Sequence, residues 1–111
     1  MTLPFDHPLV LYRGDTQRWG YQFWDDAGRT QPHDLTDVVV AAEIRRASGA
    51  PPVTLPCTVS GNAVTLTLSA EAARALPASA QWDLEFRYLS GDVRTMVAGT
   101  VDVRGDITVT P

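Results

Sequence analysis

The chain has 111 residues, with 44% hydrophobic and 20% charged positions and a formal net charge of −4. That length corresponds to one domain, which on folding buries roughly two-thirds of the surface its unfolded chain exposes. The nine basic residues are all Arg and face thirteen acids, so no basic excess is available to displace counterions from phosphates, and direct nucleic-acid binding is not expected. One cysteine, Cys57, cannot form an intrachain disulfide. No apolar run approaches the ~20 residues of a membrane span. Met1–Val10 also lacks the basic start and long apolar stretch of a secretion signal. A membrane partner is therefore not expected either.

Taken in chain order, hydrophobic residues recur with a period of two almost throughout, which is the signature of strands. Residues 1–7 form an expected N-terminal arm, and residues 8–111 one domain. Pro8–Arg13 is a short apolar run ending in Arg13-Gly14-Asp15. Gln17–Trp24 alternates next, with Trp19, Tyr21 and Phe23 on one face and Arg18, Gly20, Gln22 and Trp24 on the other. Asp25-Asp26-Ala27-Gly28 is a turn, in which the carboxylates accept nearby backbone N–H groups and Gly28 can take positive φ. The run Val38–Arg45 follows, apolar on both sides at its start and therefore expected to be buried on both faces only there.

Ala47–Pro52 is rich in breakers and is expected to be an exposed connection. Val53, Leu55, Cys57 and Val59 then alternate, and Pro56, which has no N–H to donate, assigns this segment to a sheet edge. Ser60-Gly61-Asn62 turns the chain into Ala63–Leu68, giving a hairpin. Ser69–Leu76 is helical: Ser69 is a suitable N-cap, Glu71 lies in the first turn and the body is Ala-rich. Two turns do not stand alone in water, so this helix must be docked, most simply as a crossover between strands with Leu76 as its anchor. Gln81–Leu89 alternates Trp82, Leu84, Phe86 and Tyr88 against Asp83, Glu85 and Arg87. A turn at Ser90-Gly91-Asp92 leads into Val93–Val103, with Val93, Thr95, Val97, Gly99, Val101 and Val103 on one face, where Gly99 implies a bulge or the close approach of another backbone. Arg104-Gly105-Asp106 turns again before a last short run, Ile107–Thr110. Together these elements predict an all-β fold, an antiparallel Ig-like β-sandwich of seven to eight short strands with one short crossover helix at about Ser69–Leu76.

Chemistry is poorly provided for. His7 and His33 adjoin Pro8 and Pro32 in stretches expected to be exposed. Two histidines and one cysteine are too few soft ligands for a structural zinc site. Cys57 sits on an inward strand face, where a thiol behaves as a small inert hydrophobe. Asp25 and Asp26 lack the further acids and terminal Glu of a calcium loop. No Gly pair has the spacing of a phosphate-binding loop. The expectation is no enzyme activity, no cofactor and no metal. The two Arg-Gly-Asp triplets are explained by turn chemistry alone, since Gly-Asp recurs at Gly91-Asp92 in a plain hairpin.

Partner contacts are expected instead. Trp24 points away from its aromatic neighbours beside a solvent turn, and an exposed Trp is a typical interface anchor. The arm carrying Leu3 and Phe5 could clip onto a neighbouring subunit, and the loop reaching Ala50, Pro51 and Pro52 could contact a partner.

The order of motifs resembles a known type of module. Arg-Gly-Asp-Thr at 13–16 precedes an aromatic strand and Asp-Asp-Ala-Gly at 25–28. Asp-Leu-Thr at 34–36, Gly61-Asn62, Leu76-Pro77, Trp82-Asp83-Leu84, Gly91-Asp92-Val93-Arg94-Thr95 and Gly105-Asp106-Ile107-Thr108 follow. This resembles small β-sandwich modules of tailed bacteriophages, found as short virion proteins and at the N-terminal ends of baseplate and tail-fibre proteins. The resemblance implies a non-enzymatic structural protein of the virion, made in the bacterial host cytoplasm and present in many symmetry-related copies that bind other virion proteins. A chain ending at Pro111 suits a small tail, connector or baseplate subunit better than a fibre, with a capsid decoration protein as the alternative. From another class, a carbohydrate- or surface-binding module would require two or more of Trp19, Tyr21 and Trp24 to form an open platform. A hydrolase would require His7 or His33 to meet a carboxylate in a polar cleft.

Overall fold

The computed structural model describes residues 5–46 and 51–105. Within them nine strands and one helix form two packed sheets. Strands β1 (Phe5–Asp6), β2 (Leu9–Tyr12), β4 (Val39–Arg45), β5 (Val53–Leu55), β8 (Ser79–Arg87) and β9 (Val93–Arg104) make the larger sheet. Its order is β1-β9-β8-β4-β5, with β2 also on β9. Strands β3 (Gln17–Gln22), β6 (Cys57–Ser60) and β7 (Ala63–Leu68) make the smaller sheet, in the order β3-β7-β6.

The core lies between the sheets and comes from the inward set of each alternating strand. Ile44, Leu55, Val64, Leu66, Leu84 and Phe86 are all at most 1% exposed. Burying a side chain of this kind stabilises the fold by roughly 1.5–3 kcal/mol. The outward set of β8, Asp83, Glu85 and Arg87, faces away from this core on the uncovered side of the larger sheet.

Most turns follow from the residue types. Gly14, Gly61 and Gly91 have positive φ at the three connections β2–β3, β6–β7 and β8–β9. In the 25–31 loop, however, the left-handed residue is Arg29 rather than Gly28. The Asp26 carboxylate fixes that loop by accepting from the Thr30 N–H and hydroxyl and from the Gln31 N–H.

Helix α1 (Ala70–Arg74) is capped by Ser69, whose Oγ accepts from the Ala72 N–H at 3.1 Å. It carries the chain from β7 in one sheet to β8 in the other, with Ala73 and Leu76 docked in the core. Pro56 divides its segment into β5 and β6, one at an edge of each sheet. The hairpin β6–β7 has the expected antiparallel register.

Other features also differ from the sequence expectation. The N-terminal segment is not a free arm from Phe5 onward, because Phe5 and Asp6 pair with Val97 and Ala98. Both β1 and β2 run parallel to β9, within an otherwise antiparallel sandwich. The start of β4 is not buried on both sides, since Val39 is 59% exposed: no element among those described covers the outer face of the larger sheet at that end. Ala47–Ala50 and the final run Ile107–Thr110 lie outside the described residues.

Gly99 resolves the choice between bulge and close approach. The register shift in the β8–β9 ladder falls at Leu84/Glu85, away from Gly99. At Gly99 the peptide of His7 and Pro8 crosses so near that a Cβ would stand 2.7 Å from the His7 carbonyl carbon and 3.1 Å from the Pro8 nitrogen.

Candidate functional site

The crossing at Gly99 holds His7 against the aromatic part of the core. Trp82 Nε1 donates to the His7 carbonyl oxygen at 2.9 Å, and the His7 N–H donates to the Ala98 carbonyl. The His7 imidazole Nδ1 is hydrogen-bonded to the Tyr21 hydroxyl. Tyr21 stacks on Trp82, and Trp19 meets Trp82 edge-on at 5.9 Å. Burial pushes the Tyr21 phenol up to about 12, because the phenolate would lose hydration there. His7 is thus half-buried and engaged, not solvated.

His33 is engaged as well, contrary to the expectation of exposure. Its Nδ1 lies 2.6 Å from Asp25 Oδ1 and its Nε2 lies 3.0 Å from the Tyr88 hydroxyl. The imidazole lies parallel to the Phe86 ring, 6.0 Å between centroids. This Asp–His–Tyr chain ties the 25–33 loop to Tyr88, the residue that follows β8. Both ring nitrogens are occupied by protein groups, so the geometry is that of a latch over Phe86.

Cys57 is half-buried, its thiol donates to the Leu55 carbonyl at 3.3 Å, and burial pushes its pKa up. A thiol held protonated in this way is a poor nucleophile. No group of three or more His, Cys, Asp or Glu that could hold a metal occurs among the described residues, and no helix there is long and apolar enough to cross a membrane.

The outer face of the larger sheet carries a different arrangement. Glu43 and Asp83 are direct cross-strand neighbours, a like-charge pairing that costs stability by itself. Arg45 relieves it by reaching Asp83 at 3.0 Å and Glu43 at 3.7 Å. Burial raises the Asp83 pKa, Arg45 opposes that rise, and Glu85 and Glu43 add to it. Beside this group a shallow depression of about 360 Å³ is lined by Asp6, Arg45, Gln81, Asp83 and Thr100. At the far end of the same face Val39, Arg87 and Val93 stand in one cross-strand row. Val39, Val93 and the hairpin-tip Leu89 are 59%, 56% and 83% exposed.

Of the residues expected at a partner interface, Phe5 is 62% exposed and Pro51 and Pro52 are exposed. The Pro51 carbonyl accepts from the Arg46 guanidinium. Leu3 and Ala50 lie outside the described residues. Trp24 is not an exposed anchor. It is half-buried, and its backbone forms an isolated bridge with Pro32. The structure does not bring Phe5, Trp24 and the prolines into one site: they come from separate elements. Sequence reading missed the exposure of Val93: alternation puts it on the face of Val97, Val101 and Val103, and only the register shift at Leu84/Glu85 turns it outward.

Comparison with known proteins agrees with this architecture. The profile of a family described as "LtfC-like, beta-sandwich domain" matches residues 4–105. Among solved structures, the chain is similar to one in the crystal structure of a complex between titin and obscurin-like Ig domains. The identity is 19% and the TM-score 0.55, over 96% of this chain and 94% of that one. At that identity the likeness shows the Ig-like fold alone. No curated protein matches the chain.

Proposed function

The chain belongs to the LtfC-like β-sandwich domain family, and on that footing we propose that it is a non-enzymatic structural subunit of a phage particle. The observation that carries this reading is the family match across residues 4–105, which supports a phage β-sandwich module. A tail, connector or baseplate position suits a single small sandwich that offers surfaces and no reaction centre. Such a subunit acts through many weak contacts repeated by the symmetry of the particle, which together give useful affinity. Phe5, Pro51 and Pro52 are available for those contacts, as are Val39, Leu89 and Val93.

The carbohydrate-platform reading loses its support, because Trp19 and Tyr21 turn inward onto Trp82 and Trp24 is half-buried. A hydrolase reading gains a His–Asp contact at His33, but the second imidazole nitrogen is taken by Tyr88.

Electron microscopy of the purified source particle tests the proposal. The expected result is density for this sandwich at symmetry-related positions in the tail, connector or baseplate. Density on the capsid surface would make it a decoration protein, and absence from every particle would overturn the reading.

A further inference from the structure

Strand β3 forms one edge of the smaller sheet, and its ladder shows which backbone groups lie on the open side. Antiparallel pairs alternate between residues that exchange hydrogen bonds and residues that do not. The Phe23 N–H donates to the Asn62 carbonyl, continuing the β3–β7 register. Residues of the same parity, Trp19 and Tyr21, therefore bond to β7, while Arg18, Gly20 and Gln22 point their N–H and C=O groups away from it. The other side of β7 agrees, since Thr67 donates to Pro56 there. Among the described residues none is hydrogen-bonded to that outer edge. The strand has no proline and no bulge to blunt it. Exposed Phe5 adjoins the same side of the sandwich, 6.1 Å from the His7 ring, which in turn meets Tyr21 at 5.5 Å.

We propose that this edge pairs with β3 of a second copy of the chain, antiparallel about a two-fold axis at Gly20. In that register the sequence around Gly20 is complementary to itself. Arg18 falls opposite Gln22 of the other copy, Gly20 opposite Gly20, and Trp19 opposite Tyr21, so all three open residues of each copy find a partner. Aromatic pairs at directly opposed positions are favourable. Centring the axis on Arg18 sets like charges against each other, and centring it on Gln22 sets Gly20 against Trp24 and leaves Arg18 beyond the paired strand. Gly20 also suits the centre of a close contact. It has no side chain, and a Cβ there would already meet the Val64 carbonyl oxygen at 2.8 Å. The product is one continuous sheet, β6-β7-β3-β3-β7-β6. This inference does not depend on where in a particle the chain sits.

Sedimentation equilibrium at low ionic strength tests it on the wild type and two variants whose altered side chains are exposed in the monomer. The wild type is expected to form a dimer. Gln22→Arg, which places like charges across the axis twice, is expected to weaken the dimer roughly tenfold. Adding Arg18→Glu to it is expected to restore the affinity. Circular dichroism and the unfolding midpoint establish that each variant folds. A folded wild type that stays monomeric at every concentration would overturn the proposal. So would a dimer indifferent to Gln22→Arg, or one that the second substitution fails to restore.

Discussion

The carbonyl group of His7 lies directly over Cα of Gly99, in the space a side chain would need. That crossing lets β1 and β2 follow one another along β9 and brings the His7 oxygen within reach of Trp82 Nε1. Gly99→Ala is expected to destabilise the domain by about 1–3 kcal/mol, the usual cost of forcing extra volume into a packed site. Urea unfolding measures the loss. Red-shifted indole fluorescence before the main transition would report Trp82 losing the His7 contact.

Tyr21 links that crossing to alkaline stability. Its folded-state pKa, about 12, lies above the 10.0 of an ordinary phenol, so the unfolded chain releases this proton first as pH rises. Stability from this group is complete below pH 10 and falls as pH rises from there through about 12. Tyr21→Phe is expected to remove that component of the alkaline loss, at a cost of about 1 kcal/mol near neutrality from the missing hydrogen bond to His7. Thermal unfolding of both proteins across the alkaline range checks the sign.

Asp26 acts at the other end of the pH scale. The Thr30 hydroxyl, with the Gln31 and Thr30 N–H groups, holds its carboxyl below the usual 3.8. The contribution is therefore present above the unfolded-state pKa and is lost as pH falls through the folded value. The stability difference between wild type and Asp26→Asn is expected to be largest near neutrality and to vanish in strong acid. A difference that stays constant with pH would show that the carboxylate's charge has no part in fixing the loop.

The Asp25–His33–Tyr88 chain is expected to act as a unit. Tyr88→Phe should cost about 1 kcal/mol, and His33→Ala more, since it also uncovers Phe86. In the double variant the two losses should fall short of adding, with a coupling of about 0.5–1 kcal/mol. A double-mutant cycle by denaturant unfolding measures it, and simple additivity would mean the latch carries no joint stability.

Much of this was written in the chain's alternation. The inward sets of β4, β7 and β8, the glycine turns at Gly61 and Gly91, and the Ser69 cap each follow from residue types a few positions apart. So does the edge position of the Val53–Val59 segment, although its division at Pro56 between the two sheets does not. These are local rules, and they were sufficient for an Ig-like sandwich with one crossover helix.

What they could not supply was how distant segments meet. Trp24 has the register of an exposed anchor, yet it is half-buried where the chain returns beside it at Pro32. His7 and His33 look solvent-bound beside their prolines, and only the second sheet brings Tyr21 and Tyr88 to them. Phe5 looks like part of a free arm until β9 provides a strand to pair with. The parity of the open edge at Arg18, Gly20 and Gln22 likewise needs β7 in place. The physical reason is the same in each case. The period of a strand determines which side chains share a face, whereas burial, hydrogen-bond partners and free edges are set by elements far away in sequence.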